Sequence, residues 1–320
     1  MHSRRRRTSG VGGAFAGTAG RGPRTSAPGV PPNGAKETDR KARMMSKRLS
    51  TFLLVVILLL GVAILLYPTL SDYYNSFHQS RAIASYIEKL EPDADYSEEW
   101  ARAETYNASL LDRDNRFALS DEEYTEYESI LDTTGTGIMG YIEIPKIQCI
   151  LPLYHGVDEA VLQVAVGHLE GTSLPTGGPG THAVFSGHRG LPSAKLFTDL
   201  DKLEPGEQFV IRSLDRIMTY EVDQIRIVLP YELNDLAIDP EMDYCMLVTC
   251  TPYGINSHRM LVRGHRTENA ELEKSIRIVA DATQIDPRLM IPVFAAPMLL
   301  ILFIGMMIVT DRRKRRPTKG

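Results

Sequence analysis

Cysteine is scarce in this 320-residue sequence, which contains only Cys149, Cys245 and Cys250. Cys245 and Cys250 fall on opposite faces of one predicted strand, so a disulfide between them is excluded. The sequence has no Cys-x-x-Cys pair, which argues against a structural zinc site. We therefore expect no disulfide framework, no metal and no cofactor, and the odd number of cysteines favours at least one free thiol.

The middle of the chain also lacks an excess of positive charge. Of the 36 Lys and Arg residues, 12 lie in residues 1–48 and 6 in residues 311–320, whereas residues 49–310 contain 18 basic and 37 acidic residues. Binding to nucleic acid needs a cationic surface. We therefore expect no nucleic-acid partner for the central region.

Two long apolar runs, residues 49–67 and 290–310, are present near the ends of the chain. About 20 helical residues cross a hydrocarbon core of about 30 Å. Basic residues precede the first run and follow the second, and such residues favour the cytoplasmic side. A cleaved signal peptide is the alternative for the first run, but the run is long for one and lacks an A-x-A site. The pattern predicts a two-pass cell-membrane protein with both termini cytoplasmic and an extracellular central domain.

Between these runs the pattern changes from helical to strand-like. Residues 71–111 have apolar residues at helical spacing, whereas residues 112–135 are polar and acidic. Strands are predicted at residues 138–144, 148–154, 181–186, 208–213, 217–229 and 244–249, and short helices at 158–168, 194–200 and 233–238. Short strands without alternating long helices predict a small β-barrel and a mainly β fold.

The sequence thus divides into seven predicted segments. They are a disordered basic cytoplasmic tail (1–48), a transmembrane helix (49–67), a helical and lid-like segment (68–136), a β-barrel catalytic domain (137–268), a linker (269–289), a second transmembrane helix (290–310) and a basic cytoplasmic tail (311–320).

Three side chains in the central region could together carry nucleophilic chemistry. Cys250 ends a predicted buried strand, His188 follows another strand in Ser-Gly-His-Arg-Gly, and Arg259 opens the strand after the cysteine turn. A thiol reacts as the thiolate, which a nearby cation stabilises, and a guanidinium can bind an oxyanion. Each residue alone fits a packed cysteine, a surface histidine or an ordinary ion pair. Four other histidines remain alternatives to His188, namely His155, His168, His182 and His265.

The motifs around these residues resemble those of the sortases, and among them the class C, pilus-assembling sortases. The resemblance covers roughly residues 68–290 and is densest in FSGHRG (185–190), LVTCTPYG (247–254) and NSHRMLVRG (256–264), with GYIEIPKI (140–147) similar to the first barrel strand. It implies a closed eight-stranded barrel and a membrane-anchored cysteine transpeptidase. Cys250 would be the nucleophile, His188 the general acid and base, and Arg259 the oxyanion or substrate ligand.

The same resemblance implies substrates and partners. The enzyme would cleave an LPxTG-like sorting signal between Thr and Gly and join the acyl group to a pilin lysine, building covalent pili. Expected partners are pilins or other surface proteins with such signals, the lipid bilayer and peptidoglycan precursors. The alternatives are a cell-wall-anchoring sortase that uses a peptidoglycan amine and a non-catalytic membrane-tethered barrel.

The segment before the barrel departs from the family pattern. Class C enzymes carry there a lid with an Asp-Pro-aromatic motif, whereas residues 112–117 read Asp-Arg-Asp-Asn-Arg-Phe and contain no proline. Asp114 and Phe117 are the candidate lid residues, with the carboxylate toward Arg259 and the ring over the thiol. A papain-like amidase is disfavoured because His188 precedes Cys250. A tyrosine phosphatase is disfavoured because Cys250 and Arg259 are nine positions apart.

Overall fold

The computed structural model describes residues 33–91, 93–113, 115–269, 300 and 303–305. The chain divides into two compact units, Met1–Leu59 and Leu60–Gly320, and the barrel lies in the second. Residues 1–32, nearly all of the predicted linker 269–289 and most of the second apolar run fall outside the described residues.

The first element, α1 (Asn33–Lys89), contains the first apolar run. Within it, Thr38–Lys89 is long and apolar enough to cross a membrane by length and composition. A helix satisfies its backbone polar groups internally, as a hydrocarbon environment requires. The helix begins at Asn33, so residues 33–48 are helical, whereas the sequence predicted a disordered tail as far as residue 48.

Two further helices precede the barrel, α2 (Ser97–Leu111) and α3 (Asp121–Ser129). The first turn of α3 forms a capping box, in which Ser120 and Glu123 each accept the backbone N–H of the other. Trp100 of α2 and Tyr127 of α3 are buried in the same core as the barrel interior. Both helices are therefore fixed to the barrel by apolar packing.

Eight strands close into a barrel in the order β1-β2-β3-β4-β7-β8-β6-β5. The strands are β1 (Ile138–Ile144), β2 (Cys149–His155), β3 (Val166–His168), β4 (Thr181–Ser186), β5 (Gln208–Ser213), β6 (Arg216–Val228), β7 (Asp243–Thr251) and β8 (His258–Thr267). The pairs β2–β3 and β4–β7 are parallel and the other pairs are antiparallel. Short helices connect them, namely α4 (Glu159–Leu162) and three 3₁₀ helices (Pro145–Ile147, Leu200–Lys202 and Asn234–Leu236). The predicted mainly β fold and closed eight-stranded barrel are confirmed.

Two predicted helices were wrong. The helix expected over 158–168 ends at Leu162 as α4, and Val166–His168 instead forms β3, because this buried segment pairs with β2 and β4. The helix expected over 194–200 is a turn followed by the 3₁₀ helix Leu200–Lys202. Leu196 has a φ of 38°, which is incompatible with a right-handed helix at this point.

The strands carry apolar residues on both faces. The interior is filled by one large cluster that includes Phe185, Cys245 and Leu247. Neighbouring residues on β4, β7 and β8 point outward, and with one residue of β6 and one of a 3₁₀ helix they form a second cluster. We call it the outer-face cluster (Val184, Val228, Leu236, Met246 and Leu261). Strands β4, β7 and β8 are thus buried on both sides, which agrees with the continuous apolar run predicted for β7.

Candidate active site

Cys250 lies near the end of β7, on the outer face of the barrel. It has the same strand parity as Met246 of the outer-face cluster and is partly exposed. In the β7–β8 pair, Cys250 is directly opposite Arg259. Such cross-strand pairs have Cβ atoms about 4.5–5.5 Å apart on one face of the sheet. The structure therefore brings the predicted nucleophile and the predicted guanidinium together.

Arg259 is held by the backbone of the β7–β8 turn. Its Nη1 donates to the carbonyl oxygen of Asn256 at 3.3 Å and to that of His258 at 3.2 Å. Among the residues that the structure describes, no carboxylate forms an ion pair with Arg259. A guanidinium held in this way can bind an anionic or carbonyl oxygen of a substrate.

The loop that carries His188 is joined to the cysteine strand by parallel pairing. Ser186 is in register with Val248, Gly187 N donates to the Val248 carbonyl at 3.0 Å, and the buried Thr249 hydroxyl donates to the Gly187 carbonyl at 2.8 Å. His188 and Cys250 each follow directly after these bonded residues. Both candidate residues consequently lie at the same end of the barrel.

The imidazole of His188 is accessible but not free. Its side chain is 26% exposed, and its Nε2 lies 3.8 Å from Oε2 of Glu159, at the start of α4. Glu159 is itself 73% exposed, so solvent reaches the pair. A carboxylate facing one ring nitrogen can orient an imidazole. Sequence reasoning missed Glu159, which carries no motif and reaches His188 only through the barrel fold.

The glycines beside His188 are required by close packing in the loop. A Cβ on Gly187 would lie 2.7 Å from the Phe197 ring, and one on Gly190 (φ +77°) would lie 2.8 Å from the Tyr253 ring. These glycines therefore allow aromatic rings to pack on the histidine loop and fix its course.

The other cysteines are chemically unlike Cys250. Burial raises the pKa of the Cys149 thiol to about 12, and it raises the pKa of Cys245, in the barrel core, well above its usual value. Thiols of this kind remain protonated at neutral pH and are poor nucleophiles. Cys250, partly exposed on the outer face, is the cysteine suited to attack.

Three of the alternative histidines are buried. Burial lowers the pKa of His155 and His182, and it lowers that of His168 to about 3. Each also has a ring nitrogen at hydrogen-bond distance from a backbone carbonyl. These three histidines remain neutral near pH 7, and their hydrogen bonds to the backbone give them a structural role. His265, the fourth alternative, is opposite Tyr244, at the far end of β7 from Cys250.

The predicted lid segment lies against the outer-face cluster. Phe117 packs on that cluster, and Nη2 of Arg116 donates to the Leu236 carbonyl at 2.6 Å. Across from them, Gly171 (φ +78°) is so close that a Cβ there would overlap the Arg116 carbonyl oxygen. Asp114, the other lid candidate, lies outside the described residues. Phe117 thus covers the face of the sheet on which Cys250 lies.

One further residue near the site was not identified from the sequence. Arg189, next to His188, has a side chain that is only 10% exposed and pairs with Asp201. Its Nη1 donates to Oγ1 of Thr251, the residue after Cys250, at 3.4 Å. No sequence signal distinguishes this buried arginine from a solvated one.

Comparisons with known proteins identify the family of this barrel. The sortase domain family matches residues 142–267. Sortase D of Bacillus subtilis is 30% identical over 130 residues, which cover 40% of this chain and 63% of that protein. The solved sortase C1 of Streptococcus agalactiae is 50% identical with a TM-score of 0.57, covering 59% of this chain and 99% of that one. Sortase C of Streptococcus pneumoniae, described in terms of its pilin substrate specificity, is 40% identical with a TM-score of 0.52, covering 59% and 95%.

The chain therefore spans slightly less than two thirds of Sortase D but nearly all of the solved sortase C1 domain. Half of the aligned residues are identical across that domain. This chain belongs to the sortase family of cysteine transpeptidases, and its structural relatives are the class C members.

Proposed function

We propose that this protein is a membrane-anchored transpeptidase that cleaves an LPxTG-like sorting signal between Thr and Gly and transfers the acyl group to a pilin lysine. The observation that carries the proposal is the pairing of Cys250 with Arg259 at the edge where the His188 loop leaves the barrel. A nucleophile, a proton-transfer group and an oxyanion ligand are the three parts that acyl transfer needs.

In the first half-reaction, the Cys250 thiolate attacks the Thr carbonyl carbon of the sorting signal. The C–S bond forms, and the guanidinium of Arg259 stabilises the negative charge on the carbonyl oxygen. His188 donates a proton to the Gly nitrogen as the C–N bond breaks. The products are a thioester on Cys250 and a peptide with a free amino terminus.

In the second half-reaction, the ε-amine of a lysine attacks the thioester carbonyl. His188 now removes a proton from that amine, and the C–S bond breaks as the isopeptide bond forms. One amide is exchanged for another, so no oxidant, reductant or metal is required. A peptidoglycan amine in place of the lysine would make the protein a cell-wall-anchoring sortase.

The membrane arrangement is part of the proposal. Supporting it are the apolar stretch within α1 and the basic residues that precede it. We propose a two-pass topology with both termini cytoplasmic and the barrel outside the cell, next to the nascent surface proteins that it would process. The second span would be residues 290–310.

A lid is the remaining part of the proposal. The packing of Phe117 on the outer-face cluster and the Arg116–Leu236 hydrogen bond support a segment that covers the groove beside Cys250. In place of the Asp-Pro-aromatic motif, Arg116 would fasten this lid to the β6–β7 connection. A substrate would have to displace Phe117 before it reached the thiol.

The decisive test uses the full-length chain in detergent with an LPxTG peptide and a lysine-bearing pilin. Cys250→Ala and His188→Ala should abolish both peptide cleavage and isopeptide product, as measured by mass spectrometry. The matched controls Cys149→Ala and His265→Ala should retain both. Full activity of Cys250→Ala would refute the proposal, and transfer to a peptidoglycan amine in preference to lysine would identify a cell-wall sortase.

A further inference from the structure

Arg189 joins three parts of the fold at the candidate site. It is in the loop after β4, directly after His188, and its Nη2 pairs with Asp201 of the 3₁₀ helix Leu200–Lys202. Its Nη1 donates to Oγ1 of Thr251 at 3.4 Å. The Arg189–Thr251 hydrogen bond thus joins the sequence neighbour of the proposed acid–base, His188, to that of the proposed nucleophile, Cys250.

Burial of the Arg189 guanidinium should destabilise the folded state. Removing a guanidinium from water is unfavourable even when it is paired, and an apolar side chain of similar size would often be more stable. In addition, Nε of Arg189 is buried without a hydrogen-bond partner among the described residues. A buried donor that is left unpaired destabilises the fold further. Packing alone does not account for an arginine at this position.

The histidine loop needs an external constraint because it is flanked by Gly187 and Gly190, which have broad backbone freedom. Two bonds hold it toward the β4–β5 connection: Phe197 N donates to the His188 carbonyl at 3.1 Å, and Gly190 N donates to the Thr198 hydroxyl at 3.1 Å. Neither bond reaches β7. The Arg189–Thr251 hydrogen bond joins the loop to the last residue of the cysteine strand, and the Tyr253 ring, two residues further on, packs on Gly190.

We propose that Arg189 is a positioning residue: held by Asp201 on one side, its guanidinium fixes the end of β7 at Thr251 and so sets the separation of His188 and Cys250. The inference rests on the proposed function, because the separation matters only if a proton passes between imidazole, thiol and substrate. A displacement of about 1 Å in such a pair can reduce the rate by about 100-fold.

The test is carried out on the full-length chain with Arg189→Met, Arg189→Lys, Thr251→Val and the double variant Arg189→Met/Thr251→Val. Arg189→Met should lower kcat for cleavage of the sorting peptide roughly 10- to 100-fold and change KM by less than about twofold. Arg189→Lys should recover little of this loss, because an ammonium does not reproduce the two-sided guanidinium contact. The double variant should be no slower than Arg189→Met, since both changes break the same link.

The control is Arg212→Met. Arg212 forms a buried ion pair with Glu143 between β1 and β5, on strands that do not adjoin β4 or β7. Its loss should lower the melting temperature and leave kcat unchanged. A purely structural Arg189 would behave in the same way.

A second readout follows the thiol directly. The rate at which a small alkylating reagent modifies Cys250 is measured from pH 5 to 9 in each variant. If Arg189 positions His188 and Cys250, the midpoint of the pH profile of alkylation should shift in Arg189→Met and Thr251→Val. The midpoint should be unchanged in Arg212→Met. A lower melting temperature with unchanged kcat and an unchanged alkylation profile would overturn the inference.

The two proposals fail in different ways. An active Cys250→Ala variant would refute the proposed function and, with it, this inference. An inactive Cys250→Ala variant together with wild-type rates for the Arg189 and Thr251 variants would refute this inference alone. If Arg189→Met does not fold, Thr251→Val still decides the question, because it removes the acceptor and keeps the shape of the side chain.

Discussion

Lowering the pH should destabilise the barrel through a histidine remote from the chemistry. His168 of β3 is fully buried, and its Nε2 lies 2.8 Å from the Ser173 carbonyl oxygen. Since a carbonyl only accepts, Nε2 carries the proton, and Nδ1 accepts from the Tyr127 hydroxyl at 2.8 Å. Both nitrogens of the neutral ring are therefore hydrogen-bonded. Burial lowers the pKa of His168 from 6.5 to about 3.

The sign and size of the effect follow from linkage. A folded-state pKa below the unfolded value means that the unfolded chain binds more protons, so the stabilising contribution is complete above pH 6.5 and is lost as the pH falls toward 3. With pKa values of 6.5 and about 3, moving from pH 8 to pH 5 removes about 2 kcal/mol of the free energy of unfolding. That is a large share of the stability of an ordinary domain.

Trp100 makes the measurement direct. It is the single tryptophan of the chain, it is buried, and its Nε1 donates to Asp215 at 2.7 Å. Guanidinium unfolding of the full-length chain in detergent, followed by Trp100 fluorescence at pH 8, 7, 6 and 5, gives the free energy of unfolding at each pH. Wild type should lose about 2 kcal/mol more than His168→Gln over this range.

The control for this experiment is His78→Gln, because His78 is exposed on α1. This variant should follow the pH dependence of wild type. Equal losses in wild type and His168→Gln would refute the reasoning, since the titrating group would then be elsewhere.

The remaining predictions concern the proposed lid. Phe117→Ala should raise the rate of peptide hydrolysis and of Cys250 alkylation about tenfold, because losing about 1.4 kcal/mol of apolar packing shifts an open–closed equilibrium by that factor. Leu119→Ala, which loses packing on the barrel core and not on the outer-face cluster, should change neither rate, and equal rates for the two variants would exclude gating by the ring. Gly171→Ala should likewise open the proposed lid, because the added Cβ would overlap the backbone of Arg116. The control is Gly178→Ala, since Gly178 also has a positive φ but a Cβ there meets no atom within 4 Å. The two variants are compared by the rate of Cys250 alkylation.

Strands with strong apolar patterns were predictable from the sequence. The predicted bounds of β1, β4 and β5 agree with the structure, because each is a run of apolar or β-branched residues ended by a turn or a proline. The short β3 was missed because three residues are too few to show a period. Its strand form arises from pairing with β2 and β4, which no local pattern encodes.

The candidate site was predictable to the extent that it consists of motifs. Cys250 and Arg259 are close in sequence and are joined by a hairpin, so their proximity follows from the predicted strands. The contacts made by Arg189 and Glu159 depend on where distant segments meet in the closed barrel, and an isolated arginine or glutamate gives no indication of burial or partner. Tertiary packing also explains the glycines around His188, because aromatic rings from other segments leave no room for a Cβ there.

The parallel pairing of β4 with β7 also bears on when the protein becomes reactive. These strands are separated by about sixty residues that form β5, β6 and their connections, so their contact has a high sequence separation. Contacts of this kind require a long loop to close and form late and slowly during folding. A chain in which β4 and β7 have not yet paired would thus carry a cysteine without His188 near it, although the local β7–β8 hairpin can already bring Arg259 opposite Cys250. The three side chains would come together only when the barrel closed, so a half-folded chain would lack the group proposed for proton transfer.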